Sequence, residues 1–105
     1  MKKKILILGS TGSIGISTLQ VLKKNIKNFD IILLYANNNY KKLISQAKTF
    51  KPKNVFIKNK KFYPLVNRAL KNYKIRVFSG NKPINKIIKI KVDFTISAIV
   101  GFAGI

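Results

Sequence analysis

Gly9-Ser10-Thr11-Gly12-Ser13-Ile14-Gly15 is the stretch on which the reading of this 105-residue chain turns. Ahead of it runs Ile5-Leu6-Ile7-Leu8, an unbroken apolar run of the kind a strand buried on both faces carries, so residues 4–8 are expected as a strand. Behind it the apolar period changes to that of a helix, expected from residue 13 to about residue 25. Ile14, Thr18, Val21 and Leu22 form one stripe, with Gly15, Leu19 and Ile26 beside it. A G-x-x-G-x-x-G loop between a strand and a helix is the arrangement that binds a dinucleotide. The first glycine turns the strand, the second lets backbone touch a pyrophosphate, and the third packs helix against strand. The free N–H groups and positive dipole of the helix N-terminus then face the anion. Ser10, Thr11 and Ser13 add hydroxyl donors. The plainer alternative is a tight turn in which Ser13 only caps the helix.

Outward from the loop, strands and helices alternate. Residues 29–35 read as a second buried strand, closed by Ala36 and by Asn37, Asn38 and Asn39. Asn39 is placed to cap a helix over residues 40–50 with Leu43, Ile44 and Ala47 inward. After Pro52, residues 54–57 read as a short third strand. Residues 61–72 read as a helix with Pro64 in its first turn. Residues 75–78 and 94–97 complete five strands, separated by a weak basic helix or turn over residues 83–90. The order predicts an α/β fold: a Rossmann-like, doubly wound parallel sheet in three α/β/α layers with right-handed crossovers.

The composition excludes much. The chain has no Cys, no His and no Glu, and its only acids are Asp30 and Asp93. Ser-His-Asp and Cys-His centres, thiolate zinc sites and paired-carboxylate glycosidase centres are therefore impossible. Against two acids stand 22 Lys and Arg, a formal net charge of +20. Lys, Ile and Asn number 20, 17 and 11, whereas Arg occurs only at Arg68 and Arg76. A surface dedicated to nucleic acid would use the bidentate Arg fork more freely, so the charge reads as compositional bias on solvated faces. No stretch resembles a signal peptide or a membrane span, because the longest apolar run covers only residues 31–36. The expectation is a cytoplasmic protein.

The adenosine end of the loop's ligand is legible too. NAD recognition uses an acid at the end of the second strand. Asp30 begins that strand, roughly 16 Å too early at about 3.3 Å per residue. At the right place stand the amides of Asn37, Asn38 and Asn39, which can donate to a 2′-phosphate without repulsion. NADP is expected over NAD. After the fifth strand, small Ala98 and Gly101 would let a cofactor lie close, or would simply pack in the core.

Residues 5–15, with Ser17, Thr18 and Leu19 in the helix and Ala98-Ile99-Val100-Gly101-Phe102-Ala103-Gly104 at the far end, closely resemble the 1-deoxy-D-xylulose 5-phosphate reductoisomerase family. The likeness runs the whole chain and is loosest over residues 40–90. It implies an NADPH-dependent enzyme of non-mevalonate isoprenoid synthesis, homodimeric when full length. Its substrate would be 1-deoxy-D-xylulose 5-phosphate, reduced with the help of Mg²⁺, Mn²⁺ or Co²⁺. By position, Thr11, Gly12, Ser13 and Ile14 would meet the cofactor phosphates, and Asn37, Asn38 and Asn39 the adenosine 2′-phosphate. The family commonly has Gly-Lys/Arg-Asn at the latter three, so this chain lacks the usual cation at Asn38. The family's Asn-Lys-Glu motif, metal-binding acids and substrate-phosphate residues would lie beyond residue 105.

The almost wholly apolar residues 95–105, with no helix after them, suggest a fragment. Residues 1–105 are thus expected to form an incomplete N-terminal NADP-binding domain without catalytic or metal residues, inactive alone. Three other readings stay open. One is a different NADP-dependent dehydrogenase, such as an aspartate-semialdehyde dehydrogenase. The second is a decayed or decoy nucleotide-binding module that is no enzyme. The third is a basic nucleic-acid-binding domain using the +20 charge.

Overall fold

The computed structural model describes residues 2–97. Five strands form one sheet: β1 (Lys3–Leu8), β2 (Phe29–Ala36), β3 (Asn54–Ile57), β4 (Arg76–Ser79) and β5 (Phe94–Ser97). Four helices join them: α1 (Ser13–Lys24), α2 (Tyr40–Phe50), α3 (Tyr63–Ala69) and the one-turn α4 (Ile84–Ile87). Every pairing is parallel and the strand order is β4-β3-β2-β1-β5. The helix expected over 61–72 is broken into α3 and two flanking 3₁₀ turns, Lys60–Phe62 and Lys71–Tyr73. Among the described residues no helix is long and apolar enough to cross a membrane.

Topology explains the layers. From β1 to β4 the chain steps steadily one way, so right-handed crossovers put α1, α2 and α3 on the same face. From β4 the chain crosses back to the far side of β1, and the same handedness puts α4 on the opposite face. The helical face buries Ile5, Ile7, Ile31, Leu34, Val55 and Ile57 against Leu19, Leu22, Leu43, Ala47, Val66 and Leu70. The other face buries Leu6, Ile32, Leu33, Tyr35 and Phe56, with Ile84, Ile87, Ile88 and Val92 only partly buried over them. The doubly wound three-layer design therefore holds, with a thin second layer among the described residues.

The rotation of α1 differs from the expected stripe. Gly15, Leu19 and Leu22 are buried, whereas Ile14 and Val21 are 61% and 62% exposed. Gly15 sets this phase. A Cβ built there would meet the Gly9 carbonyl oxygen and lie 2.6 Å from Ser10 Cα. The helix must turn its glycine toward the loop, and Leu19 and Leu22 follow at helical spacing. Ile14, Thr18 and Val21 sit about 100° away. Ile26 also stays exposed, in a 3₁₀ turn after the helix. Gly15→Ala should therefore cost about 3 kcal/mol, as overpacking against rigid backbone does, read as a lowered urea midpoint at unchanged m-value.

Candidate functional site

The sheet's direction changes at β1, which lies between β2 and β5. In doubly wound sheets the crevice outside the strands' carboxyl ends at such a point receives ligands. The Gly9–Gly15 loop sits there. Gly9 turns the chain with φ of 88°, a region that favours glycine. Its N–H and that of Ser10 both donate to the Tyr35 carbonyl at 2.7 and 3.0 Å, so the loop is tied to the end of β2. The Gly12 N–H closes the turn on the Gly9 carbonyl at 3.2 Å.

The N-terminus of α1 is left open. Gly12 occupies the cap position in an extended conformation, φ −81° and ψ 173°, and no side chain caps the helix. The Ser13 capping role considered from the sequence is thereby replaced: Ser13 is the first helical residue. The first bond into the helix joins the Ile16 N–H to the Gly12 carbonyl at 2.8 Å. The N–H groups of Ser13, Ile14 and Gly15 precede it and have no carbonyl one turn back to accept them. By contrast, Asn39 caps α2 as expected, its Oδ1 accepting the Lys42 N–H at 3.2 Å. Since the Gly12 conformation suits any residue, its missing side chain serves space in front of α1 rather than backbone geometry. Thr11 is half-buried, and Gly12, Ser13 and Ile14 are exposed along the same rim.

Ser10 does not join them. Its side chain is fully buried, and its hydroxyl has no partner within the protein. Ser10 instead anchors the loop through its carbonyl, which accepts the Gln46 Nε2 of α2 at 2.7 Å. Gln46 is buried on the α2 face with Leu43 and Ala47, while Ile44, also expected inward, is only partly buried; an apolar period cannot mark a glutamine, so reading periodicity misses it.

Asn37, Asn38 and Asn39 are brought to the edge next to the loop, all exposed. Asn38 is not loose: its Oδ1 accepts from Asn59 Nδ2 at 3.0 Å, and the Asn59 N–H donates to the Asn37 carbonyl at 3.0 Å. The Lys58 N–H reaches the Ala36 carbonyl at 2.9 Å. Residues after β3 thus frame the asparagine run, a contribution legible only once β2 and β3 are paired. Beneath them Tyr35 and Phe56 stack with ring centroids 4.7 Å apart. Burial pushes the Tyr35 hydroxyl above its ordinary pKa. These rings floor a cleft of about 220 Å³ walled by Leu8, Lys58, Asn81, Lys82 and Ile84.

Both acids lie at the opposite, amino edge. Asp30 pairs with Lys53 at 3.5 Å, and Asp93 accepts the Lys4 N–H on Oδ2 at 2.8 Å. Among the described residues no three His, Cys, Asp or Glu come together. The carboxyl edge therefore presents amides, hydroxyls and ammonium groups, a setting that accepts an anion and repels none. The contacts considered for Ala98 and Gly101 lie outside the described residues.

The family model of 1-deoxy-D-xylulose 5-phosphate reductoisomerase matches residues 5–105. The chain belongs to that family. It is 47% identical over 105 residues to the 1-deoxy-D-xylulose 5-phosphate reductoisomerase of Pelagibacter ubique, covering 98% of this chain and 27% of the relative. The solved reductoisomerase from Zymomonas mobilis in complex with NADPH superposes with a TM-score of 0.88 at 31% identity, over 96% of this chain and 27% of that one. A DOX-P reductoisomerase in complex with magnesium gives a TM-score of 0.83 at 28% identity, over 99% of this chain and 26% of that one. The chain thus spans about a quarter of the length of the reductoisomerases it matches.

The Gln46 anchor makes a prediction. Gln46→Met removes the donor to Ser10 but also the unpartnered Gln46 Oε1, so stability should fall by only about 1 kcal/mol. Amide hydrogen exchange over residues 9–12 should nonetheless quicken more than in the sheet. Uniform quickening would mean that Gln46 supports the core and not the loop.

Proposed function

We propose that residues 1–105 act as the N-terminal NADPH-binding domain of a reductoisomerase. The whole enzyme would rearrange 1-deoxy-D-xylulose 5-phosphate and reduce the product to 2-C-methyl-D-erythritol 4-phosphate in non-mevalonate isoprenoid synthesis. The observation that carries this reading is the uncapped α1 N-terminus behind a side-chain-free Gly12, at the sheet's switch point. Likeness to a reductoisomerase solved with NADPH supports it.

The residues present fit that cofactor. Thr11, Gly12, Ser13 and Ile14 hold its phosphates, with N–H groups of the first helical turn as donors and the α1 dipole favouring the negative charge. Asn37, Asn38 and Asn39 surround the adenosine 2′-phosphate. Their neutrality, and the absence of any acid at that edge among the described residues, removes the repulsion that would select NAD. When bound, NADPH supplies the hydride for the reduction. Gly9 and Gly15 keep the loop pressed between β1 and α1, so the donors are fixed before the anion arrives.

A divalent cation is implied for the whole enzyme, but the residues described here do not fit one. No cluster of acids exists among them, and the two carboxylates sit at the wrong edge, each engaged. The metal site and the substrate-phosphate site are assigned to other parts of the full-length enzyme. A cytoplasmic homodimer is the assembly we propose for it.

A second reading, a basic nucleic-acid-binding domain, draws on a groove of about 600 Å³ lined by Lys53, Lys74, Arg76, Lys82, Lys86 and Lys89. The two separate cleanly. Gly12→Val should abolish NADPH binding in a fluorescence titration while the unfolding midpoint stays put, because the backbone at Gly12 tolerates a side chain. Lys71→Gln should change neither. Nucleic-acid binding would instead survive Gly12→Val and fall steeply with salt. The purified chain, given NADPH, metal and substrate, should show no turnover; measurable product would refute the assignment of catalysis to other parts.

A further inference from the structure

Lys58, Lys60, Lys61 and Lys82 stand at the carboxyl edge just beyond β3 and β4. The Lys61 Nζ lies over the Phe62 ring, 5.9 Å from the centroid. The Lys60 stem crosses the turn after β4, where its Cε lies 2.5 Å from the place a Cβ on Gly80 would take. Lys82 holds its Nζ over the Phe78 ring, 5.5 Å from the centroid. Lys58 differs. Its Nζ donates to Asn81 Oδ1, a neutral amide, and the one ion pair among the described residues is Lys53 with Asp30 at the other end of the sheet. An ammonium has three donors and a full charge, and an amide oxygen uses one donor and cancels no charge.

Lys58 also stands in the right column. It follows β3 as Asn37 follows β2, since Ala36 and Ile57 are register partners and the Lys58 N–H bonds the Ala36 carbonyl at 2.9 Å. Neighbouring parallel strands run about 4.8 Å apart, well within the reach of one lysine side chain. The next residue, Asn59, bonds both Asn37 and Asn38. The asparagine run, which has no cation of its own, is thus flanked by one from the adjacent strand. Lys58 also lines the 220 Å³ cleft that Leu8, Tyr35 and Phe56 border, so its charge lies at the mouth of a cavity beside the asparagine run.

We propose that Lys58 is a specificity-determining residue of the nucleotide site, its ammonium pairing with a phosphate monoester on the ligand's ribose 2′ position. The inference rests on reading Asn37, Asn38 and Asn39 as the adenosine end of the site. Asn81 acts as a positioning residue, holding the Lys58 stem across the cleft without neutralising it. In the free protein the ammonium is stored on an amide; a phosphate dianion displaces Asn81 as the better partner. The cation is thereby supplied from β3 and not from the β2–α2 turn.

The test needs only the adenosine half of the site. Adenosine 2′,5′-bisphosphate and 5′-AMP are titrated against the chain and against Lys58→Met, which keeps an unbranched stem of similar length. The chain should prefer the bisphosphate, and Lys58→Met should cut that preference about ten- to a hundredfold, the span expected for losing one charge-assisted bond. Affinity for 5′-AMP should stay unchanged, and Lys58→Arg should retain most of the preference. An undiminished preference in Lys58→Met, or equal weakening of both ligands, would overturn the role of Lys58 while leaving the nucleotide site standing. Failure of the unmodified chain to bind either ligand would overturn the site itself, and this inference with it.

Discussion

Gly15 lies so close to the turn after β1 that a single methyl group would strike the Gly9 carbonyl, and the geometry of the candidate site follows from that approach. The approach fixes which side of α1 faces the sheet, so Leu19 and Leu22 enter the core and Ile14 and Val21 do not. It presses the helix N-terminus against the end of β1, where the strand order changes direction between β2 and β5. It also leaves the loop no room to relax, and the loop is held at Gly9 and Ser10 by the Tyr35 carbonyl and at the Ser10 carbonyl by Gln46 Nε2. A site that binds an anion through backbone gains from such rigidity, because the donors need not be ordered when the ligand arrives.

Electrostatics sharpen the same edge. A chain with a net charge of +20 would be expected to attract anions everywhere. What distinguishes the carboxyl edge is where the scarce acids are: both are held at the amino edge, by Lys53 and by the Lys4 backbone. No residue from Ile5 to Leu22 carries a charge, so the loop is selective through geometry while lysines from other strands adjust the field around it.

Much of this was legible in the sequence because the signals were local. The runs in β1 and β2 are apolar on both faces, the Asn39 cap precedes a clear helical period, and the glycine spacing sits between a strand and a helix. β5 falls on the expected residues, and the parallel order follows from alternation. What stayed hidden depends on pairing across the fold. The phase of α1 is set by a clash with a loop six residues back, which a stripe of apolar residues cannot register. Ser10 looked like a donor among hydroxyls but is fully buried. Gln46 and Asn59 reach the site from later elements, through bonds spanning 36 and 21 residues. The thin second layer was equally invisible, because a Lys- and Ile-rich stretch reads as a weak helix whether it packs well or poorly.

The central claim is that the open end of α1 and the asparagine edge together form one nucleotide site. Backbone amide shifts followed by NMR during titration with NADPH test it most directly. The largest changes are expected at residues 9–16 and 37–39, with the lysine-rich stretch 86–91 little affected and the pattern persisting at raised salt. Shifts concentrated on residues 74–90 that vanish with salt, and a loop that does not respond, would contradict it.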